Sequence, residues 1–304
     1  MAEPKWDLPP PEYDKDMNHM IKTYKRATND VLDEIVSLST YGEDKEFQRA
    51  EMRKVLAYIA SRLKTVDKET EEWVNEKIEM AFKNGQAETI VALGEAESFD
   101  DAIGAVAATD SILDARNQLI TDTYNDLLQA NKQMKEETIR MVRNVAKEEM
   151  SNQAAQDKGR KTTKKALRER FKEEGNIAIR DNKGRRWTLE RYSEMVTRTK
   201  MLQAHVEGTR REAKNRNVDL AIVSSHNAKD ACRHFEGQII SMNGETDGFM
   251  TYEELRRSNL IFHPNCRHKV TPIRSLDILP DNVRSRIESD RPEAERLLQE
   301  KKNK

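Results

Sequence analysis

Apolar side chains recur at helical spacing over most of the chain before residue 217. Met52, Val55, Leu56, Ile59 and Leu63 share one face, and Val74, Ile78 and Phe82 continue the pattern on a helix that Asp67 is placed to cap. Gly85 and Gly94 read as loops, and Ser98 as the cap of a further short helix. A long helix is predicted from about 109 to 155. Its stripe of Ile120, Tyr124, Leu127, Met134, Met141 and Val145 is narrow, and its other faces are charged. Such a stripe suits packing along one seam, and an antiparallel helical bundle is the simplest arrangement that provides it.

Further on the period changes. Ile177 and Ile179 alternate with polar residues, Asp181-Asn-Lys-Gly184 supplies a turn and Trp187 follows, which predicts a hairpin. Thr188 then caps a helix with Leu189, Tyr192, Val196, Thr199, Leu202 and Val206 along one face. Asp219-Leu-Ala-Ile-Val-Ser-Ser225 reads as a buried strand and Gly237-Gln-Ile-Ile-Ser241 as a second. A short helix near 227–235 and a glycine-rich turn at 244–248 accompany them, and the last 25 residues read as an exposed charged helix. The fold class predicted is α+β, with a mostly helical N-terminal domain carrying a long helix and a small α+β C-terminal domain. The expected divisions are an extended arm at 1–14, a helical domain at 15–157 and a basic linker or helix at 158–175. An α+β domain at 176–275 and a charged helix or tail at 276–304 complete the chain.

Composition narrows the function classes. The chain has 304 residues with 53 Lys and Arg against 54 Asp and Glu. No window reaches the roughly 18 apolar residues of a membrane span, and no signal peptide is expected at the start. Two cysteines cannot form a disulfide scaffold in a chain of this length. Proline is absent between Pro11 and Pro264, as long uninterrupted helices allow. The neutral total excludes a uniformly basic nucleic-acid binder, but it averages over unlike segments. Residues 1–157 carry 20 positive and 32 negative side chains, residues 158–216 carry 19 and 8, and residues 217–304 carry 14 of each. The basic middle block therefore supplies candidate DNA-contacting residues: Lys158, Arg160, Lys161, Lys164, Lys165, Arg168, Arg185 and Arg186. The alternative is a solvated face on which Arg168, Arg170 and Lys172 pair with Glu169, Glu173 and Glu174.

Both cysteines and five of the six histidines fall between His205 and His268. They form two clusters, one running from Ser224 to His234 and one from His263 to His268. His226, Cys232, His234, His263, Cys266 and His268 are candidate metal ligands, because mixed sulfur and nitrogen donors suit a structural zinc ion. The alternative is a pair of ordinary buried thiols and histidines bonded to backbone carbonyls. A zinc-dependent hydrolase or nuclease needs an open coordination position and a carboxylate base, and Asp230 is the only acid inside either cluster. Cys266 with His263 or His268, or Ser225 with His226 and Asp230, has the side-chain types of a nucleophile and base. Neighbours in sequence need not face each other, so no catalytic residue is assigned.

Four stretches carry a resemblance. Tyr192-Ser-Glu-Met195-Val-Thr-Arg198-Thr199, Asp219 with Ser224-Ser225-His226, Gly237-Gln-Ile-Ile-Ser241 and Asn265-Cys266-Arg267-His268 occur in this order over residues 180–275. In order and spacing they resemble the minor capsid (minor head) protein family of tailed bacteriophages, in its Mu-F-like group. The helical N-terminal half is compatible with that family but carries no motif of it. The resemblance implies a non-enzymatic, low-copy protein of the head interior at the portal vertex, acting in head assembly and in DNA packaging or delivery. The implied partners are the portal protein, the major capsid protein and packaged DNA bound without sequence preference, with no membrane. The implied location is the virion, and the host cytoplasm during assembly. Tyr192, Met195, Arg198, Thr199, Asp219, Gly237, Asn265 and Arg267 become structural motif residues. Arg198 is expected to pin its helix to the small domain through a carbonyl or carboxylate. Some relatives carry Cys-x2-Cys where this chain has Cys232-Arg-His234, so the resemblance itself assigns no metal.

Overall fold

The computed structural model describes residues 2–37, 45–153, 178–180 and 186–303. Contacts group the chain into two compact units, each built from non-consecutive stretches. One comprises Asp14–Val74 with Asp122–Thr197, and the other Met1–Tyr13, Asn75–Thr121 and Arg198–Lys304. The fold is α+β, mostly helical with a small C-terminal sheet.

In the first unit, α1 (Asp14–Ser37) buries Met17, Met20, Tyr24, Ala27 and Val31, one stripe at three- and four-residue steps. α2 (Lys45–Ala92) contributes Val55, Ile59, Leu63, Val66 and Val74. The helix start expected at Asp67 does not occur: with no proline or glycine between Gly42 and Gly85, α2 runs straight through it. The Asp67 carboxylate instead accepts a 2.6 Å hydrogen bond from Asn131 Nδ2 on α4 (Asp110–Gln153). α4 lies where periodicity predicts a long helix, with Leu127 buried and Ile120 and Tyr124 half-buried. The same helix also buries Thr123, Asn131 and Thr138, polar positions that an apolar stripe does not reveal. The side chains of Met134, Met141 and Val145 lie outside the described residues. β1 (Ala178–Arg180) and β2 (Arg186–Thr188) form the expected antiparallel hairpin with Ile179 opposite Trp187, and α5 (Leu189–Asn215) follows.

In the second unit, Gly85 lies inside α2 rather than in a loop, whereas Gly94 (φ +71°) does terminate the helix. Ser98 caps α3 (Phe99–Gly104), its Oγ accepting from Asp101 N at 3.1 Å. The sheet takes the order β5-β4-β3-β6, from β3 (Leu220–Val223), β4 (Ile239–Ser241), β5 (Met250–Thr251) and β6 (Val270–Pro272). β3 is antiparallel to β4 and to β6, with Ile222 opposite both Ile239 and Thr271. One face buries Ala221, Val223 and Ile240 against Phe235, Leu255 and Ile261. The other buries Ile222, Ile239, Ile273 and Leu279, with Trp6 of the N-terminal arm packed alongside. Burial on both faces explains why β3 reads as a continuous apolar run.

α6 (Tyr252–Ser258) starts in a capping box between Thr251 and Glu254. α7 (Asp281–Lys302) is charged, yet it buries Ala294 and Leu298 in the sheet core, so the C-terminal helix is an integral layer rather than an exposed tail. Asp219 closes the turn after β4, accepting from Ser241 Oγ at 2.5 Å and Asn243 N at 2.7 Å.

Candidate metal centre

Sheet topology creates the site. Because β3 is antiparallel to both neighbours, the end of β3, the start of β4 and the start of β6 meet at one edge. Ser224 N donates to Lys269 O (3.0 Å) and Val223 N to Gln238 O (2.9 Å). The two sequence clusters are thereby brought face to face. Cys232 sits on a 3-10 turn (Ala231–His234) capped by Asp230, whose Oδ1 accepts from Cys232 N at 3.1 Å. His263, Cys266 and His268 lie on the connection from α6 to β6.

A chain of contacts runs through these groups. His263 Nε2 is 3.1 Å from Cys232 Sγ, and Cys232 Sγ is 3.9 Å from Cys266 Sγ. Cys266 Sγ is 3.1 Å from His268 Nδ1, and His268 Nε2 is 3.1 Å from Glu236 Oε1. His226 stacks on His268 with ring centroids 4.0 Å apart. The ligand atoms of Cys232, His263 and Cys266 all lie within 4.8 Å of one another, as do those of His226, Glu236 and His268. Cys232, Cys266, His268 and Glu236 are buried, whereas His226 is exposed.

The electrostatics of the chain are polarised. Hydrogen bonding from Cys232, aided by His268, outweighs burial and lowers the Cys266 pKa to about 4, favouring its thiolate. The same sulfur contact, reinforced by burial, pushes the Cys232 thiol up. Burial alone would depress His268, but Cys266 and Glu236 on its two sides together raise its pKa. Burial also opposes the Glu236 carboxylate, but it is held below the usual carboxylate range by His226 N (2.9 Å) and Ala228 N (3.0 Å), together with His268.

Of the six sequence candidates, five fall in these two groups. His234 does not: its Nε2 accepts from Arg233 Nε at 3.1 Å. Glu236 is the residue that sequence reasoning misses, since it stands two residues beyond the cluster ending at His234. The serine-type arrangement is not assembled. Ser225 Oγ bonds Glu236 (3.3 Å), while Asp230 lies 3.4 Å from His263 rather than beside His226. Glu236 Oε1 is held by His226 N, Ala228 N and His268 Nε2. A cavity of about 340 Å³, lined by Trp6, Pro9, Ser225, His226, Glu236 and Arg286, opens beside this end of the chain of contacts.

Two motif residues hold the loop that carries Cys266. Arg198 Nη1 donates to Asn265 Oδ1 (2.7 Å), and Asn265 N donates to Thr199 Oγ1 (2.9 Å). The carbonyl that Arg198 meets is thus that of a side-chain amide. Gly237 (φ +77°) turns the chain into β4, Tyr192 and Met195 are half-buried on α5, and Arg267 is exposed. Lys158, Arg160, Lys161, Lys164, Lys165, Arg168 and Arg185 lie outside the described residues, and Arg186 begins β2.

A family model described as phage minor capsid protein 2 matches residues 8–296, covering the helical half as well as the sheet. Neither a search of curated proteins nor one of solved structures finds a match. The chain belongs to the phage minor capsid protein 2 family, and its role is that of a structural component of the virion.

Proposed function

We propose that this virion protein sits in the head interior at the portal vertex and acts in head assembly and in DNA packaging or delivery. The observation that carries the reading is family membership over residues 8–296, joined to the uneven charge of the sequence. The acidic stretch 1–157 suits docking on protein, with the portal protein as first partner and the major capsid protein as second. The basic stretch suits packaged DNA, where each cation that neutralises a phosphate adds salt-dependent affinity without sequence preference. Within that stretch Arg210 and Arg211 pair with Glu207, and Arg216 pairs with Glu212 at 2.8 Å and with Glu95. The candidate DNA-facing cations are those that the sequence places between Lys158 and Arg186.

Co-purification with the portal protein and counting of copies in intact heads test the placement. Binding to portal and a low, fixed copy number are expected; failure to bind portal or to enter procapsids would remove it. For DNA, the joint substitution of Lys161, Lys164, Lys165 and Arg168 by Ala should weaken binding. Every phosphate that is no longer neutralised flattens the slope of log affinity against log salt by about 0.9. An unchanged slope would remove the DNA assignment.

A further inference from the structure

We infer that Cys232, Cys266, His263 and His268 bind a single zinc-type metal ion, with Glu236 as the positioning residue behind His268. The inference rests on this cluster alone and is independent of the placement at the portal vertex. A tetrahedral zinc ion with Zn–S bonds of about 2.3 Å and Zn–N bonds of about 2.0–2.1 Å sets its ligand atoms about 3.3–3.8 Å apart. Among Cys232, His263 and Cys266, whose ligand atoms all lie within 4.8 Å of one another, the 3.1 and 3.9 Å separations bracket that spacing, and His268 Nδ1 stands 3.1 Å from Cys266 Sγ as the fourth donor.

The outer nitrogens fix which lone pairs are available. His263 Nδ1 lies 2.9 Å from Pro264 O, so it carries the proton and donates there, leaving Nε2 to face Cys232. His268 Nε2 donates to Glu236 and leaves Nδ1 to face Cys266. A carboxylate behind a ligating imidazole is the usual means of orienting it toward a metal. Two sulfurs and two imidazole nitrogens form a set of intermediate softness that favours zinc over magnesium or calcium.

The same geometry selects between the two groups. In the His226, Glu236 and His268 group, Glu236 Oε1 already accepts from His226 N and Ala228 N and faces His268 Nε2, the arrangement of an orienting carboxylate. Conversely, His263, Cys266 and His268 border a void of only about 10 Å³, room for about one water probe. A closed, four-ligand site of this kind is structural. On binding, Cys232 releases its thiol proton to solvent and both sulfurs coordinate as thiolates. The ion then ties the 3-10 turn of Cys232 to the connection entering β6, adding a bond to the apolar core in which Cys232 and Cys266 already share.

The test is made on the full-length chain, expressed with zinc and purified without chelator. Elemental analysis should give one zinc per chain, and replacement by Co²⁺ should produce thiolate-to-cobalt charge transfer with the visible bands of a tetrahedral site. His263→Ala and Cys232→Ser should lose the metal, whereas His226→Ala and His234→Ala should keep it. Glu236→Gln should weaken metal affinity about 10- to 100-fold. Because Cys232→Ser affects a buried position, the wild-type stoichiometry and the two retained variants stand as independent readouts. Wild-type chain that takes up neither zinc nor cobalt, with both thiols reactive or joined as a disulfide, would overturn the assignment. So would metal retained by His263→Ala and lost by His226→Ala.

Discussion

Gly85 on α2 and Gly208 on α5 are reciprocal contact points between two helices. A Cβ at Gly85 would stand 1.9 Å from His205 O, and one at Gly208 would stand 2.0 Å from Phe82 O. The backbones touch directly, with Thr209 Oγ1 donating to Gly85 O at 3.2 Å and Thr89 Oγ1 to Thr209 O at 3.3 Å. This close approach holds α5, and with it Arg198 and Thr199, against the C-terminal part of α2.

The crossing makes a prediction whose sign opposes helix propensity. Alanine in a helix interior is favoured over glycine by about 1 kcal/mol. Overpacking against rigid backbone costs about 1–3 kcal/mol or more. Gly208→Ala and Gly85→Ala should therefore lower the urea midpoint despite improving local propensity. Gly104→Ala is the control, because a Cβ there meets nothing within 4 Å. A midpoint for Gly208→Ala at or above that of Gly104→Ala would show that the helices do not approach as described.

A buried ion pair gives a second prediction. Lys269 is fully buried, with Nζ 2.7 Å from Pro9 O and in contact with the Glu88 carboxylate, while His205 Nε2 lies 3.1 Å from the other Glu88 oxygen. Burial opposes the Glu88 charge, but His205 and Lys269 outweigh it and hold the pKa below the ordinary range. A depressed carboxylate pKa contributes stability above the unfolded value, about 4.3, and loses it as pH falls through the folded value. Lys269→Met should cost about 3–5 kcal/mol at neutral pH by leaving the carboxylate without its ammonium partner. It should also flatten the loss of stability on acidification below about pH 4.3, measured as denaturant midpoint against pH. An acid limb as steep as that of wild type would mean that Glu88 does not carry it.

Much of the helical part is legible because periodicity reports which face of a helix is buried. What periodicity does not report is the use made of a polar residue. Asp67 looks like a cap, yet it bonds Asn131 on another helix. Gly85 looks like a loop, yet its missing Cβ serves a helix crossing. The short elements β5 and β6 span two and three residues, too few for any period to show. α6 is too short for its own period to stand out, although Thr251 and Glu254 spell out its capping box. At the candidate metal centre, ligand types are readable but ligand choice is not. Pairing of β3 with both β4 and β6 sets which histidines face the cysteines, and it also brings in Glu236.

Asn265 offers the last prediction. Its φ of +70° lies in the left-handed region, where asparagine is tolerated and alanine is strained by about 1–2 kcal/mol. Its side chain accepts from Arg198 and its backbone N–H donates to Thr199, so backbone strain and side-chain bonding can be separated by substitution. Asn265→Gly relieves the strain and removes only the bond to Arg198, about 1 kcal/mol for a single hydrogen bond. Asn265→Ala removes the bond and adds the strain, so it should cost about 2–3 kcal/mol. Arg198→Ala removes the same bond, so the double variant should lose less than the sum of the two single losses. The measurement is the denaturant midpoint, accompanied by the rate at which Cys266 reacts with a thiol reagent. That rate should rise in every variant, because the segment being loosened is the one that buries Cys266. Additive losses in the Arg198 and Asn265 double variant would show that the two side chains act separately.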